Sequence, residues 1–385
     1  MKKRTVPYDR KALIAHKKAG GKIRIAGAVS LSKQSDFSVY YTPGVAAVSR
    51  HLAKKPEDAR VYTIKKHTVA VISDGTAVLG LGDIGPYGAL PVMEGKALIF
   101  KELGGVDAFP IVLDTKDPND IVKTVVAIAP AFGGINLEDI KAPQCFEIER
   151  RLKDLLSIPV FHDDQHGTAI VVLAGLINAA KVVGKKMEAL KVVIVGAGAA
   201  GTAIAHLLVY AGLREVIVLD SIGAIYKGRE SLFAHKSDIA EITNPEGKKG
   251  SLRDVLPGAD VLIGVAGRGA QRFKKGDLRK MADGAIVFAL ANPTPEIMPE
   301  EAYRAGAAVV ATGRSDFPNQ INNALAFPGV FRGALDAGVN EITDSMKVSA
   351  ARNLAGLIKK PTSRNILPEL LDTRVVRAVA KAIRA

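Results

Sequence analysis

Glu138 and Asp139 close the run "GGINLED", and Asp164 closes "PVFHDD" 25 residues after Asp139. Each acid follows a short apolar run that reads as a buried strand, and in open α/β sheets the carboxyl ends of the strands face the ligand crevice. Neighbouring strands would bring the three carboxylates together as hard oxygen ligands, which suit Mg2+ or Mn2+ better than zinc. A single cysteine, Cys145, excludes a thiolate cluster. A plainer reading stands beside this one. Adjacent acids are common on surfaces, and Asp163 or Asp164 could cap the helix that opens near Gly167. His162 and His166 would make a softer site than the acids imply, so they are expected to pack or hydrogen-bond, with Asp163 supporting Lys96 or the metal.

Lys96 opens the apolar run of "GKALIF". A lysine pressed among apolar neighbours is desolvated, its pKa falls, and it becomes competent as a base. The alternative is a surface lysine whose stem lies over apolar groups. "SVYYTPGVAAV" sets Tyr40 and Tyr41 just before a Pro-Gly turn, and one of these phenols could carry a catalytic proton.

Farther on, Gly196-Ala197-Gly198-Ala199-Ala200-Gly201 follows one apolar run and opens a helical one. Gly196 permits the tight turn, Gly198 lets the backbone approach a pyrophosphate, and Gly201 allows close helix–strand packing. The free N–H groups of the helix start then meet the negative charge. Asp220 stands 24 residues after Gly196, at the end of the next strand, where a carboxylate can accept from ribose hydroxyls. Ser221 and Ile222 follow it with no base for a 2′-phosphate. The expectation therefore leans to NAD over NADP, weakened by Lys227 and Arg229 nearby.

These groups need a frame. "TVAVISDGTAVLGLGD" (68–83) has two apolar runs joined at Asp74-Gly75, a hairpin signal. "AFPIVLD" reads as a strand and leads to a helix opening near Pro118. Residues 192–195 and 216–219 read as parallel strands around a helix over 199–210. "ADVLIGVAG", "GAIVFALANP" and "AAVVATG" read as further buried strands. The βαβ rhythm predicts an α/β fold: a Rossmann-type, doubly wound parallel sheet plus an N-terminal α/β substrate domain, with C-terminal helices after Asn322 that pack back on the first domain. The boundary is placed at 1–160 and 161–385, with a helix over 170–183 crossing between the two.

A length of 385 residues is too great for one small core and fits two domains. No apolar run reaches the ~20 residues of a membrane span, and the basic start lacks a signal-peptide core, so a cytoplasmic enzyme is expected. The net charge is +14, but the basic residues are scattered among acids and aromatics are only 5%, which disfavours nucleic-acid binding and leaves a solvated surface that mildly steers anions.

With these segments in hand, the chain resembles the malic enzymes in their short prokaryotic form. "YTPGVA", "SDGTAVLGLGDIGPYGALPVMEGKA", "INLEDI", "FHDDQHGTA", "VGAGAAG", "ANPTPE" and "INNALAFPGVFRGALD" look like family segments in family order. The resemblance implies oxidation of malate with NAD(P), then decarboxylation to pyruvate and CO2, in a homodimer that uses Mg2+ or Mn2+. It implies Tyr41 as general acid, Lys96 as general base, and Glu138, Asp139 and Asp164 as metal ligands. Asn292 and Asn322 would contact malate and the nicotinamide end, with Asn323 a weaker candidate. One departure is Ala77, where long eukaryotic members carry an arginine for a malate carboxylate. The rival readings are a 2-hydroxy acid dehydrogenase without decarboxylation and a dinucleotide-binding sensor without catalysis.

Overall fold

The computed structural model describes residues 9–266 and 273–384. Four short helices lead in: α1 (Asp9–Ala19), α2 (Gln34–Tyr40), α3 (Val45–Lys54) and α4 (Ala59–Tyr62). None of them buries a residue. The chain then alternates β1 (Thr68–Ser73), α5 (Gly85–Gly104), β2 (Asp107–Val112), α6 (Pro118–Ile128), β3 (Gly134–Leu137), α7 (Gln144–Leu155) and β4 (Val160–His162). These strands form a parallel sheet in the order β2-β1-β3-β4. As expected near Pro118, α6 starts with that proline at N1, and the Asp117 carboxylate accepts from the Asn119 N–H as its cap.

The hairpin expected at Asp74-Gly75 does not form. All six residues of β1 are buried, and β1 is flanked by β2 on one side and β3 on the other. With both edges taken by parallel neighbours there is no place for an antiparallel return. The Asp74 carboxylate instead accepts from the backbone N–H and hydroxyl of Thr76. Gly75 adopts φ +72°, where a Cβ would strike the Gly85 carbonyl at 2.2 Å, so the local Asp-Gly signal marks a turn rather than a hairpin.

A π-helical turn (Asp163–Gly167) runs directly into α8 (Thr168–Val182). Beyond it come β5 (Lys191–Val195), α9 (Ala199–Tyr210), β6 (Glu215–Leu219), α10 (Ala234–Ile242), α11 (Leu252–Val255), β7 (Val261–Gly264), α12 (Lys275–Leu278), β8 (Ile286–Ala289), α13 (Pro299–Arg304) and β9 (Val309–Thr312). This second sheet is also parallel, in the order β6-β5-β7-β8-β9. Three helices close the chain: α14 (Phe327–Ala337), α15 (Asp344–Ala355) and α16 (Arg374–Ala380).

Strand alternation sends side chains to both faces of each sheet. Val69 and Val71 of β1 and Val192 and Ile194 of β5 join one shared core around α8, while Ala70 and Ile72 point to a second core and Val193 and Val195 to a third. The shared core therefore couples the two sheets. Phe327 and Phe331 of α14 pack edge-on against Phe100 of α5 at 4.6 and 5.4 Å, which places the C-terminal helices on the first sheet's helix.

Candidate active site

Parallel strands end on one side of their sheet, and the acids of the first sheet sit just past those ends. β3 stops at Leu137, so Glu138 and Asp139 follow it; β4 stops at His162, so Asp163 and Asp164 follow it. One ligand atom from each of Glu138, Asp139 and Asp164 lies within 4.8 Å of the other two. The Asp139 N–H donates to Asp164 Oδ2 at 2.9 Å, tying the two loops together. Asp139 itself has φ 54°, an uncommon backbone state for a residue with a side chain.

Lys96, from the buried side of α5, meets this cluster from the opposite wall. Its Nζ is 2.6 Å from Asp163 Oδ2 and 2.9 Å from Glu138 Oε1, and it lies 4.4 Å from the centroid of the Phe327 ring. Lys96 is only 8% exposed. Burial alone would pull its pKa down, but Asp163, Glu138 and Asp164 outweigh burial and hold the ammonium proton firmly. The amine is thus a bound cation in the metal-free cleft, not the lowered-pKa base expected from its apolar neighbours. The acids feel the converse. Burial raises Glu138 well above the carboxylate range, and burial together with Asp164 pushes Asp139 up to about 8. Asp139 Oδ2 and Asp163 Oδ1 are buried without a hydrogen-bond partner.

The cleft beside these groups has a volume of about 380 Å3 and spans both sheets. Lys96, Glu138, Asp139 and Asp164 line it together with Ala200, Asn292 and Asn322. Ala200 belongs to the glycine-rich loop between β5 and α9. There Gly196 has φ +120°, and a Cβ on Gly201 would sit 1.8 Å from the Gly196 carbonyl, so helix and strand meet as the motif requires. Space around Gly198 is open.

Comparison with known proteins matches this architecture along the chain. Residues 20–153 match the family model "Malic enzyme, N-terminal domain" and residues 165–384 match "Malic enzyme, NAD binding domain". An NAD-dependent malic enzyme of Geobacillus stearothermophilus is 55% identical over 94% of this chain and 76% of its own length. This chain belongs to the malic enzyme family. A bifunctional malic/malolactic enzyme of Bacillus subtilis is 52% identical over 97% of this chain and 91% of its own length. The crystal structure of a malic enzyme from Pyrococcus horikoshii superposes with a TM-score of 0.93 at 48% identity, over 97% of this chain and 89% of that one.

Within this malic enzyme fold the expected site residues divide. Lys96, Glu138, Asp139, Asp164, Ala200, Asn292 and Asn322 share the cleft, and Asn323 joins them. Tyr41 does not: it is 59% exposed, packs edge-on against Phe37, and is not among the residues lining the cleft. His166 hydrogen-bonds Glu149 at 2.7 Å, and His162 is fully buried in β4, 3.9 Å from Asp164. Ala77 lines the cleft, and Lys96 is the sole basic side chain lining it among the described residues.

Asp220 follows β6, as expected, and is met by more basic groups than its immediate sequence neighbours suggest. Its carboxylate takes both Arg229 contacts, at 2.8 and 2.9 Å, and Lys236 at 2.7 Å, and accepts from the N–H groups of Ile222 and Gly223. Burial would raise its pKa, but these partners win and hold it below its ordinary value. Asp220 is therefore not bare of bases. Lys236 arrives from α10 and leaves no local mark in the sequence. Phe327, within the segment "INNALAFPGVFRGALD", likewise carries no local mark of its contact with Lys96.

Proposed function

We propose that this protein oxidises (S)-malate at C2 and decarboxylates the product to pyruvate and CO2, with reduction of NAD(P). The observation that carries the reading is the convergence of Lys96 and three acids on a cleft shared with the dinucleotide loop. Glu138, Asp139 and Asp164 fit a divalent cation, because their oxygens are close together and Asp139 Oδ2 is buried and unpartnered. Mg2+ or Mn2+ held there would supply Lewis acidity toward the oxygens of a 2-hydroxy acid and loosen the acids' hold on the Lys96 proton. A dinucleotide on the loop of Gly196, Ala197, Gly198, Ala199, Ala200 and Gly201 would supply the hydride acceptor.

The chain's own groups do the rest. Lys96 takes the hydroxyl proton, oriented by Asp163. Asn292 and Asn322 position malate and the nicotinamide end; the Asn322 Oδ1 is already used by the Ala324 N–H, so its amide donors serve the ligand. Tyr41 protonates C3 once CO2 has left. Asp220 stays ionised beside the ribose, which favours NAD over NADP as long as it occupies Arg229 and Lys236.

The working unit is a homodimer, and the support is the N-terminal arm. Its helices bury nothing, and Leu13, Ile14, Phe37, Val39, Tyr41 and Tyr62 stand exposed along it. A second copy covers this arm and receives Tyr41 into its cleft. The division into domains falls near residue 160, supported by the gap between the two matched family models, though β4 still pairs in the first sheet through His162, a little past that point.

Steady-state turnover of malate with NAD or NADP, with and without Mn2+, tests the reaction. Pyruvate and CO2 are expected; oxaloacetate accumulating without CO2 would replace the reading with a simple dehydrogenase. Co-expressing Tyr41→Phe with Lys96→Ala tests the shared cleft. Mixed dimers retain one site with both groups if Tyr41 crosses over, so activity returns; two dead parents giving a dead mixture would put Tyr41 in its own cleft.

A further inference from the structure

Four successive side chains of the Asp163–Gly167 turn are held in two pairs. Asp163 meets Lys96, and Asp164 Oδ2 accepts the Asp139 N–H. Gln165 and His166 end instead on one carboxylate, that of Glu149 in α7. Gln165 Nε2 donates to Glu149 Oε2 at 3.0 Å, and His166 Nε2 donates to Glu149 Oε1 at 2.7 Å. Lys153, one turn along α7, pairs with the same Oε1 at 2.8 Å. Glu149 is only 5% exposed. The malate chemistry makes no direct use of this carboxylate.

A carboxylate is buried at a cost that its partners must offset. α7 does not call for that cost, because Cys145, Ile148 and Leu152 already anchor it in the core, each fully buried. The turn has no such anchor of its own. It reads Asp-Asp-Gln-His-Gly, and its backbone closes through the Thr168 N–H, which reaches the carbonyls of Asp163 and Gln165. Gly167 leaves room for the first acid: a Cβ there would collide with Asp163 Oδ1. Any rotation that carried Asp163 away from Lys96, or Asp164 away from Asp139, would have to break the bonds to Glu149 as well.

We propose that Glu149 is a positioning residue for the acid site: by holding Gln165 and His166 it fixes the turn on which Asp163 holds Lys96 and Asp164 joins Glu138 and Asp139. This rests on the reading that Glu138, Asp139 and Asp164 hold a divalent cation. It adds the group that sets where Asp164 stands before the cation arrives. Partners one shell out from a metal orient its ligands in this way.

Mn2+ affinity of the full chain, read by electron paramagnetic resonance of the free ion without malate or dinucleotide, tests this. Glu149→Gln keeps the side-chain volume but trades one acceptor oxygen for an NH2 group, so Gln165 and His166 no longer each have an oxygen of their own. It is expected to weaken Mn2+ binding by about tenfold or more, the scale on which outer partners act. NAD binding, read by titration calorimetry, should be unchanged. Gln165→Met is similar in shape and removes one of the two holds, so about threefold weaker Mn2+ binding is expected, the worth of one hydrogen bond. It decides the matter even if Glu149→Gln fails to fold. Lys153→Met removes a contact that ties Glu149 to its own helix and not to the turn, and Mn2+ affinity should stay within about twofold, as for a part-exposed ion pair. In the metal-free protein, hydrogen exchange in the turn should quicken in Glu149→Gln and Gln165→Met but not in Lys153→Met. Wild-type Mn2+ affinity in Glu149→Gln and Gln165→Met, an equal weakening by Lys153→Met, or a comparable loss of NAD affinity would overturn the proposal and leave Glu149 an anchor of the fold. Failure of the wild-type chain itself to bind Mn2+ is a separate result: it removes the cation reading of the three acids, and this inference falls with it.

Discussion

Asp139 and Asp220 occupy equivalent places in their two sheets, each just past the end of a parallel strand, yet their electrostatics are opposite. Asp139 is crowded by other acids, has an oxygen without a partner, and is pushed up to about 8 by burial and Asp164. Asp220 is met by Arg229, Lys236 and two backbone N–H groups and is held below its ordinary value. The first edge is built with its charge uncompensated, and a cation is what compensates it. The second is already neutralised by the chain and is preorganised before any ligand arrives. The reacting end of the cleft is thus the end that the fold alone leaves unsatisfied.

The largest effect that probes this contrast comes from Lys96, the one basic side chain that lines the cleft with these acids among the described residues. Lys96→Ala should lower malate turnover by about a thousandfold or more, at the upper end of general acid–base effects, while dinucleotide binding followed by fluorescence persists. That substitution also strands Asp163 and Glu138 without their partner, so Lys96→Arg is the sharper test. Arginine keeps a positive charge near Asp163 but does not release a proton at working pH, and turnover should fall comparably. Near-normal kcat in Lys96→Arg would remove Lys96 from proton transfer and leave it as a counter-ion.

The next effect is on metal and stability. In the metal-free protein Asp139 binds its proton more tightly folded than unfolded, because its folded pKa is raised. Between about pH 4 and 8 the folded state therefore holds more protons, and stability falls as pH rises through that window. Cation binding requires ionised carboxylates, so it releases those protons and tightens with pH. Saturating Mn2+ should raise the Tm by about 5 °C or more at pH 8 and by less at pH 6, and chelation should abolish turnover at both. An equal shift at the two pH values would mean that the acids are ionised without a cation, and the contrast with Asp220 would fail.

Much of the first edge was legible because it depends on local runs. "GGINLED" and "PVFHDD" are apolar strands that stop at acids, and parallel pairing does the rest, bringing Glu138, Asp139 and Asp164 together. The glycine spacing of 196–201 likewise encodes a strand–turn–helix by sterics alone. What stayed hidden depends on return paths. Asp163 is expected near Lys96 or the metal, but the 67 residues between them do not disclose how tightly it pairs, and that pairing changes the lysine from a lowered-pKa base to a bound cation. Asp74-Gly75 misled because a two-residue signal does not reveal that β1 is flanked on both edges. Tyr41 was identified by its motif, but whether its arm packs on its own chain is a matter of burial, and the four arm helices bury nothing.

The smallest effect is at the second edge, where the charge balance is already met. Asp220→Ala removes the carboxylate that occupies Arg229 and Lys236; Arg229 keeps the Gly223 and Ala224 carbonyls, and both cations lose their acid. NAD loses its acceptor for the ribose hydroxyls, while NADP gains two partners for its 2′-phosphate, Arg229 with the planar geometry that phosphate favours. The ratio of kcat/KM for NADP to that for NAD should therefore rise, by about tenfold for one charge-assisted contact. If both cofactors weaken equally, Asp220 is only a loop anchor, and its pairing with Arg229 and Lys236 serves the fold rather than the choice of cofactor.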